Sequence, residues 1–199
     1  LPAGVPLHEI ISSDTGPGNT MMDAYMRTFF NASYDKDGLI AKAGKINDAL
    51  LSSLKADSFF NLSLPKTVGP ELFNLNYLQA AQKKSNTVSI SHEDVLATLN
   101  RFTAETIVDA MRKTIAMDKI DAVYLSGGGM HNKVLFDHLC KMLPNIKVVS
   151  LEELGFNPDA KEAILFALLA NEAVAGEAMQ IGGDATKKPI TMGKISFPK

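Results

Sequence analysis

Residues 120–151 hold the pattern that most narrows what this chain can fold into. An apolar run at 120–125 (IDAVYL) leads into three glycines, Gly127, Gly128 and Gly129. An amphipathic stretch follows, apolar at Val134, Leu135, Leu139, Met142 and Leu143, and Pro144 stops it. A second apolar run, 146–151 (IKVVSL), comes next. Strand, helix and strand at this spacing form a βαβ unit, which pairs its strands in parallel through a right-handed crossover. Both runs read as buried strands.

The rest of the chain is mostly of helical period. Residues 5–13 (VPLHEIISS) read as a short strand delivering a glycine-bearing turn, DTGPGN at 14–19. Residues 20–30 are apolar at Met21, Met22, Tyr25, Met26, Phe29 and Phe30, a helical spacing that Asn19 or Thr20 is placed to cap. Residues 31–38 form a turn-rich loop, and 39–57 return to helical period with Gly44 dividing it. Residues 59–74 (FFNLSLPKTVGPELFN) are a Pro- and Gly-bearing loop with many aromatics.

The clearest helix is 91–117. Its apolar face runs through Val95, Leu96, Leu99, Phe102, Ile107, Met111 and Ile115, and Ser91 with Asp94 resembles a capping box with a shorter acid. Residues 160–175 are apolar almost all round, which predicts a deeply buried helix. Residues 190–197 read as a short terminal strand. The class is α/β with more helix than strand.

Composition removes several function classes. Twenty basic residues against 22 acidic ones give a formal charge of −2, and phosphate neutralisation needs a strong basic excess, so no nucleic-acid partner is expected. Hydrophobic residues at 46% and a length of 199 suit one large or two small globular domains. Cys140, the single cysteine, cannot form an internal disulfide or a Cys-rich zinc site, and reads as a buried helix residue in a reducing, cytoplasmic protein. The longest apolar run, 163–170, is too short to cross a bilayer, and no signal peptide is expected at the start. The first residue is Leu1 rather than Met, which reads as a processed product or the tail of a longer protein.

Two glycine turns are the main chemical candidates. The first comprises Asp14, Thr15, Gly16, Pro17, Gly18 and Asn19; the second is Gly127, Gly128 and Gly129, with Asn132 just beyond. Glycine lets backbone N–H groups approach a phosphate, and a helix N-terminus beyond the turn adds positive potential. Neither turn is a Walker A or a GxGxxG motif. One such turn is ordinarily just a tight connection; two together favour a nucleotide or sugar site.

Asp14 either accepts a proton from a hydroxyl or water, or caps its own loop as an Asx-turn. Glu162 is either a helix-start acid or a functional carboxylate. His8, His92, His131 and His138 make no metal pattern and read as structural or surface groups. Asp35 and Asp37 lack the distal Glu of a calcium loop and read as a turn. No metal ligands are expected in this chain.

Several segments taken together resemble the anhydro-N-acetylmuramic acid kinase family, part of the actin-like ATPase and sugar kinase superfamily. They are DTGPGN at 14–19 with MDAY at 22–25, YDKDG at 34–38 with AKAGKIN at 41–47, PKTVGPELFN at 65–74, LSGGGMHN at 125–132 and EAILFALLA at 162–170. The resemblance implies a ribonuclease-H-like α/β lobe, helix-rich, with a small mixed sheet that is incomplete. It also implies an ATP- and Mg²⁺-dependent enzyme of cell-wall recycling. Such a kinase opens the anhydro bridge of 1,6-anhydro-N-acetylmuramic acid with water and phosphorylates O6.

Asp14 then matches the catalytic base and Glu162 a second carboxylate. Thr15, Gly16, Gly18 and Asn19 match a substrate and phosphate loop. Gly127, Gly128, Gly129 and Asn132 match the nucleotide loop, and Lys66 and Thr67 shape the cleft. The resemblance covers only the carboxyl-terminal half of such a kinase, so residues 1–199 are expected to be that lobe, with the amino-terminal lobe a missing partner. The glycine-rich strand pair that begins the second lobe is absent, and the tail departs from the family, with MQIGGDATKKPITMG in place of its usual segment.

The chain alone is therefore expected to be inactive, and its exposed sheet edge to need covering. A homodimer is a further expectation of the resemblance. The competing readings are a non-catalytic sugar- or nucleotide-binding module and a related sugar kinase with another substrate.

Overall fold

The computed structural model describes residues 10–157, 160–176, 188 and 191. In chain order the elements are α1 (Thr20–Phe29), α2 (Leu39–Ala43), α3 (Asp48–Leu54), α4 (Leu75–Lys84), α5 (His92–Thr114), β1 (Ala122–Leu125), α6 (Lys133–Met142), β2 (Lys147–Ser150) and α7 (Lys161–Ala175). The result is a helix-rich α/β fold with a small sheet.

Helix α5 is the spine. Its 23 residues reach about 34 Å at the usual helical rise. The amino-terminal half supplies Val95, Leu96, Leu99 and Phe102 to one core with Met21, Met22, Leu50, Leu54, Phe73 and Leu78. The carboxyl-terminal half supplies Ala104 and Val108 to a second core with Leu135, Leu139, Leu143, Ile146 and Val148. One long helix thus joins the βαβ unit to the helical layer.

Gly44 marks the break between α2 and α3. A Cβ there would lie 2.1 Å from the Glu93 carbonyl, so only glycine lets α2 reach the start of α5. Asn47 then caps α3, its side chain accepting from the Leu50 N–H at 3.0 Å. Ser91 caps α5 by accepting from the Asp94 N–H at 3.1 Å. The Asp94 carboxylate accepts instead from the Lys45 N–H at 2.7 Å, so the reciprocal half of the capping box is used to tie α2 to α5.

The βαβ expectation holds. β1 and β2 pair in parallel, from Ala122 opposite Lys147 to Leu125 opposite Ser150. Other expectations need correction. β1 is only half-buried and Tyr124 is exposed, because among the described residues no third strand flanks it. Residues 10–13 form no strand, and 5–9 lie outside the described residues. Helix α7 forms where its pattern predicts, yet Leu165, Phe166, Leu168 and Val174 are exposed, the last by 76%. It adds no residue to either core. The strand expected at 190–197 lies outside the described residues.

The clearest helix stops at Thr114, and Ile115 is extended and exposed. Cys140 lies on α6 and is half-buried rather than buried. Helix α4, not among the expected elements, starts at a local cap: Asn74 accepts from the N–H groups of Asn76 and Tyr77, ahead of the buried Leu78 and Ala81. No helix among the described residues is long and apolar enough to cross a membrane.

Candidate functional site

The 14–19 loop is held from two sides. Ser13 and Asp14 run beside the 65–68 segment: the Asp14 N–H donates to the Lys66 carbonyl at 2.9 Å, and the Ser13 hydroxyl accepts from the Lys66 N–H at 2.9 Å. The Val68 N–H donates to Asp14 Oδ2 at 2.8 Å. Asp14 therefore does not cap its own loop; a residue 54 positions away fixes its carboxylate. Oδ1 takes no hydrogen bond from the described residues, and the side chain is exposed. One oxygen is anchored and the other is left open to accept a proton.

On the other side the loop lies across α5. A Cβ at Gly16 would come 2.6 Å from Thr106 Oγ1, so this close approach requires glycine. Gly18 has φ +55°, and its carbonyl accepts from the Thr103 hydroxyl at 2.9 Å. Two buried threonines of the spine helix thus set the height of the loop.

Asn19 occupies the capping position of α1 without capping it. Its side chain reaches the second glycine turn instead: a Cβ on Gly129 would be 3.2 Å from Asn19 Oδ1. The two turns, 110 residues apart in sequence, meet here (129 − 19). Gly127 has φ +78° with open space beside it, and a single 3₁₀ turn, Gly128–His131, leads to Asn132. Asn132 caps α6, accepting from Val134 and Leu135 N–H groups at 3.1 and 3.2 Å.

Gly38 closes a third side, where a Cβ would lie 2.5 Å from Asn132 Oδ1. Its own loop is tied by Asp35, which is buried and accepts from the Ile40 and Ala41 N–H groups at 3.0 and 2.9 Å. That is the turn the sequence suggested for 34–38.

Between these walls lies a cleft of about 530 Å³, bordered by Asn19, Asp23, Tyr34, Asp37, Gly128 and Asn132. Burial pushes the Asp23 carboxyl above its ordinary value, against the pull of Arg27. Thr15 lies away from this cleft and borders a second cavity of about 260 Å³ with Lys66, Thr106 and Lys113. The loop expected to bind one ligand therefore separates two cavities. Among the described residues no group of three or more His, Cys, Asp or Glu side chains could hold a metal. Burial lowers the His138 imidazole, with Arg101 adding to the effect.

Glu162 is exposed in the first turn of α7, and no hydrogen bond among the described residues links it to the 14–19 loop. The residues that sequence reasoning underrated are Lys66 and Val68, whose backbones position Asp14. No local pattern signals a hydrogen bond across 54 positions.

Ser13→Ala removes the hydroxyl that accepts from the Lys66 N–H and donates to the Lys66 carbonyl. The expected loss is about 1–2 kcal/mol of stability, the cost of a part-buried hydrogen-bonded group. Urea denaturation checks it; an unchanged midpoint means the 65–68 segment is held by other contacts.

Residues 3–197 match the family model described as anhydro-N-acetylmuramic acid kinase. A curated protein of that name from Pseudoalteromonas translucida is 51% identical over 99% of this chain and 50% of its own length. The one from Pseudoalteromonas atlantica is 48% identical over 100% of this chain and 50% of its own, and that from Caldanaerobacter subterraneus 40% identical over 99% and 51%. The chain spans about half the length of the curated relatives it matches.

Proposed function

This chain belongs to the anhydro-N-acetylmuramic acid kinase family, and we propose that it supplies the carboxyl-terminal, ribonuclease-H-like half of an ATP-dependent kinase for 1,6-anhydro-N-acetylmuramic acid. The observation that carries this reading is Asp14, with Oδ2 held by the Val68 N–H and Oδ1 open, on a loop that also borders the cleft between the glycine turns.

Asp14 accepts a proton from water, whose oxygen bonds to the anomeric carbon. The bond from that carbon to O6 breaks. O6 attacks the γ-phosphorus of ATP, the bond to the β-phosphate oxygen breaks, and ADP leaves. The product is N-acetylmuramic acid 6-phosphate, and the proton on Asp14 returns to solvent. Aligning water, sugar and phosphoryl group in this way is where most of the acceleration of such a transfer arises.

ATP fits the cleft bounded by Asn19, Gly128 and Asn132. The open side of Gly127 and Gly128 lets backbone approach phosphate or ribose, and Asn132 has donors left after its cap is made. Mg²⁺ would arrive with the phosphates, neutralising their charge. The described residues include no cluster to hold it, and no step here depends on one. Glu162 joins the site only if the remaining half of the protein brings α7 against the cleft. The exposed apolar face of α7 and the open edge of the sheet are surfaces for that half to cover. A homodimer and a cytoplasmic location complete the proposal.

The test uses the full-length protein and the 199-residue chain separately, with ATP, Mg²⁺ and 1,6-anhydro-N-acetylmuramic acid in ¹⁸O water. The full-length protein is expected to give a product heavier by one water and one phosphoryl group, with the label on the anomeric hydroxyl. The shorter chain is expected to give none. Label in the phosphate, or no product from the full-length protein, sinks the reading.

A further inference from the structure

The cavity beyond Thr15 has an unusual charge balance. Lys55, Lys66, Arg112 and Lys113 border it, with Asp109 as the carboxylate among its lining residues. Lys55 is matched, lying 2.5 Å from Glu105 and 2.8 Å from Asp109. Arg112 lies 3.7 Å from Asp109. Lys66 and Lys113 have no ion pair among the described residues.

Both of these ammoniums are drawn to one turn. Lys66 donates to the Phe59 carbonyl at 2.7 Å, and Lys113 to the adjoining Phe60 carbonyl at 2.6 Å. Lys66 also sits 4.1 Å from the centre of the Phe59 ring. Burial lowers the Lys66 ammonium below its ordinary value and the neighbouring Lys113 lowers it further. Two like charges against one cavity repel, and an anion between them removes that repulsion.

Position then narrows the anion. The Lys66 backbone holds Ser13 and Asp14, so the cavity begins one residue from the proposed base. Thr15 and Thr106 add hydroxyls on its wall. The nucleotide cleft lies at the other end of the 14–19 loop, at Asn19. We propose that the cavity between Lys66 and Lys113 takes the carboxylate of the acidic sugar and sets selectivity for it over a neutral anhydro sugar. The inference rests on the kinase reading for the identity of the sugar. It adds the residues that recognise its acid group.

The experiment measures binding by calorimetry to the full-length protein, so it does not depend on turnover. The two ligands are 1,6-anhydro-N-acetylmuramic acid and 1,6-anhydro-N-acetylglucosamine, which lacks the carboxylate. The wild type is expected to prefer the acid by about tenfold or more at low salt, as a partly exposed charge pair allows. Lys113→Gln and Lys66→Gln are each expected to reduce that preference to about twofold, leaving affinity for the neutral sugar near its starting value. Lys113 is exposed at the end of α5, so its variant should fold normally, which thermal melting checks.

A preference for the acid that survives both substitutions overturns the proposal, as does an equal loss for the two sugars. A weaker calorimetric affinity for ATP in the variants with no change for the acid also overturns it, and assigns the cavity to phosphate. A wild type that prefers the acid, loses that preference in both variants and never turns the sugar over overturns the kinase reading and supports this one. Turnover without any preference for the acid does the reverse.

Discussion

Asp14→Asn in the full-length protein is expected to lower kcat by about 10³-fold if Asp14 is the proposed general base. The amide oxygen of Asn can still accept the Val68 N–H now made to Oδ2, so the loop keeps its anchor. The lost property is the ability to take a proton at the open oxygen. Melting temperature and sugar affinity should stay near those of the wild type, while product formation, read by mass, nearly vanishes. A variant that retains more than about a tenth of the wild-type rate means that another group activates the water.

Phe102→Ala has the largest expected effect on stability. Phe102 is fully buried in α5, with Phe60 at 5.6 Å and Phe73 at 6.2 Å between ring centres. Deleting such a ring costs about 3–5 kcal/mol through lost burial and the cavity left behind. The damage extends beyond the core. Phe60 and Phe73 bracket the segment that carries Lys66 and Val68, which in turn hold Asp14. Activity should therefore fall in conditions where the variant is still folded. Phe102→Leu should restore all but about 1.5 kcal/mol. Chemical denaturation with matched activity assays checks both; a loss under about 1 kcal/mol for the alanine variant means the aromatic cluster does not anchor the loop.

The helical layer was legible because its signals are local. Period and caps placed α1, the break at Gly44 and the start of α5 to within a residue or two. The βαβ unit was legible for the same reason: an apolar run, glycines, an amphipathic stretch and a proline each act on their neighbours in sequence. Asn74, the cap of α4, is a signal of the same local kind.

Burial was less legible. The pattern of 160–175 gives composition, and an all-apolar helix reads as buried. Whether a face is covered depends on what packs against it, and here the described residues leave Phe166 and Val174 open. Likewise the apolar run at 120–125 gives a strand, but its depth depends on neighbouring strands.

By itself the sequence determined most of the helices, the parallel pairing of β1 with β2, and the two glycine-bearing turns that lead into α1 and α6. Only the tertiary structure decided that the turns meet at Asn19 and Gly129, that Val68 rather than the loop itself holds Asp14, and that Lys66 and Lys113 face one cavity. The physical reason is range. Backbone preference and capping act over a few residues, so the chain announces them. A hydrogen bond across 54 positions or a charge cluster from two elements exists only once α5 and its aromatic neighbours have packed and brought those positions together.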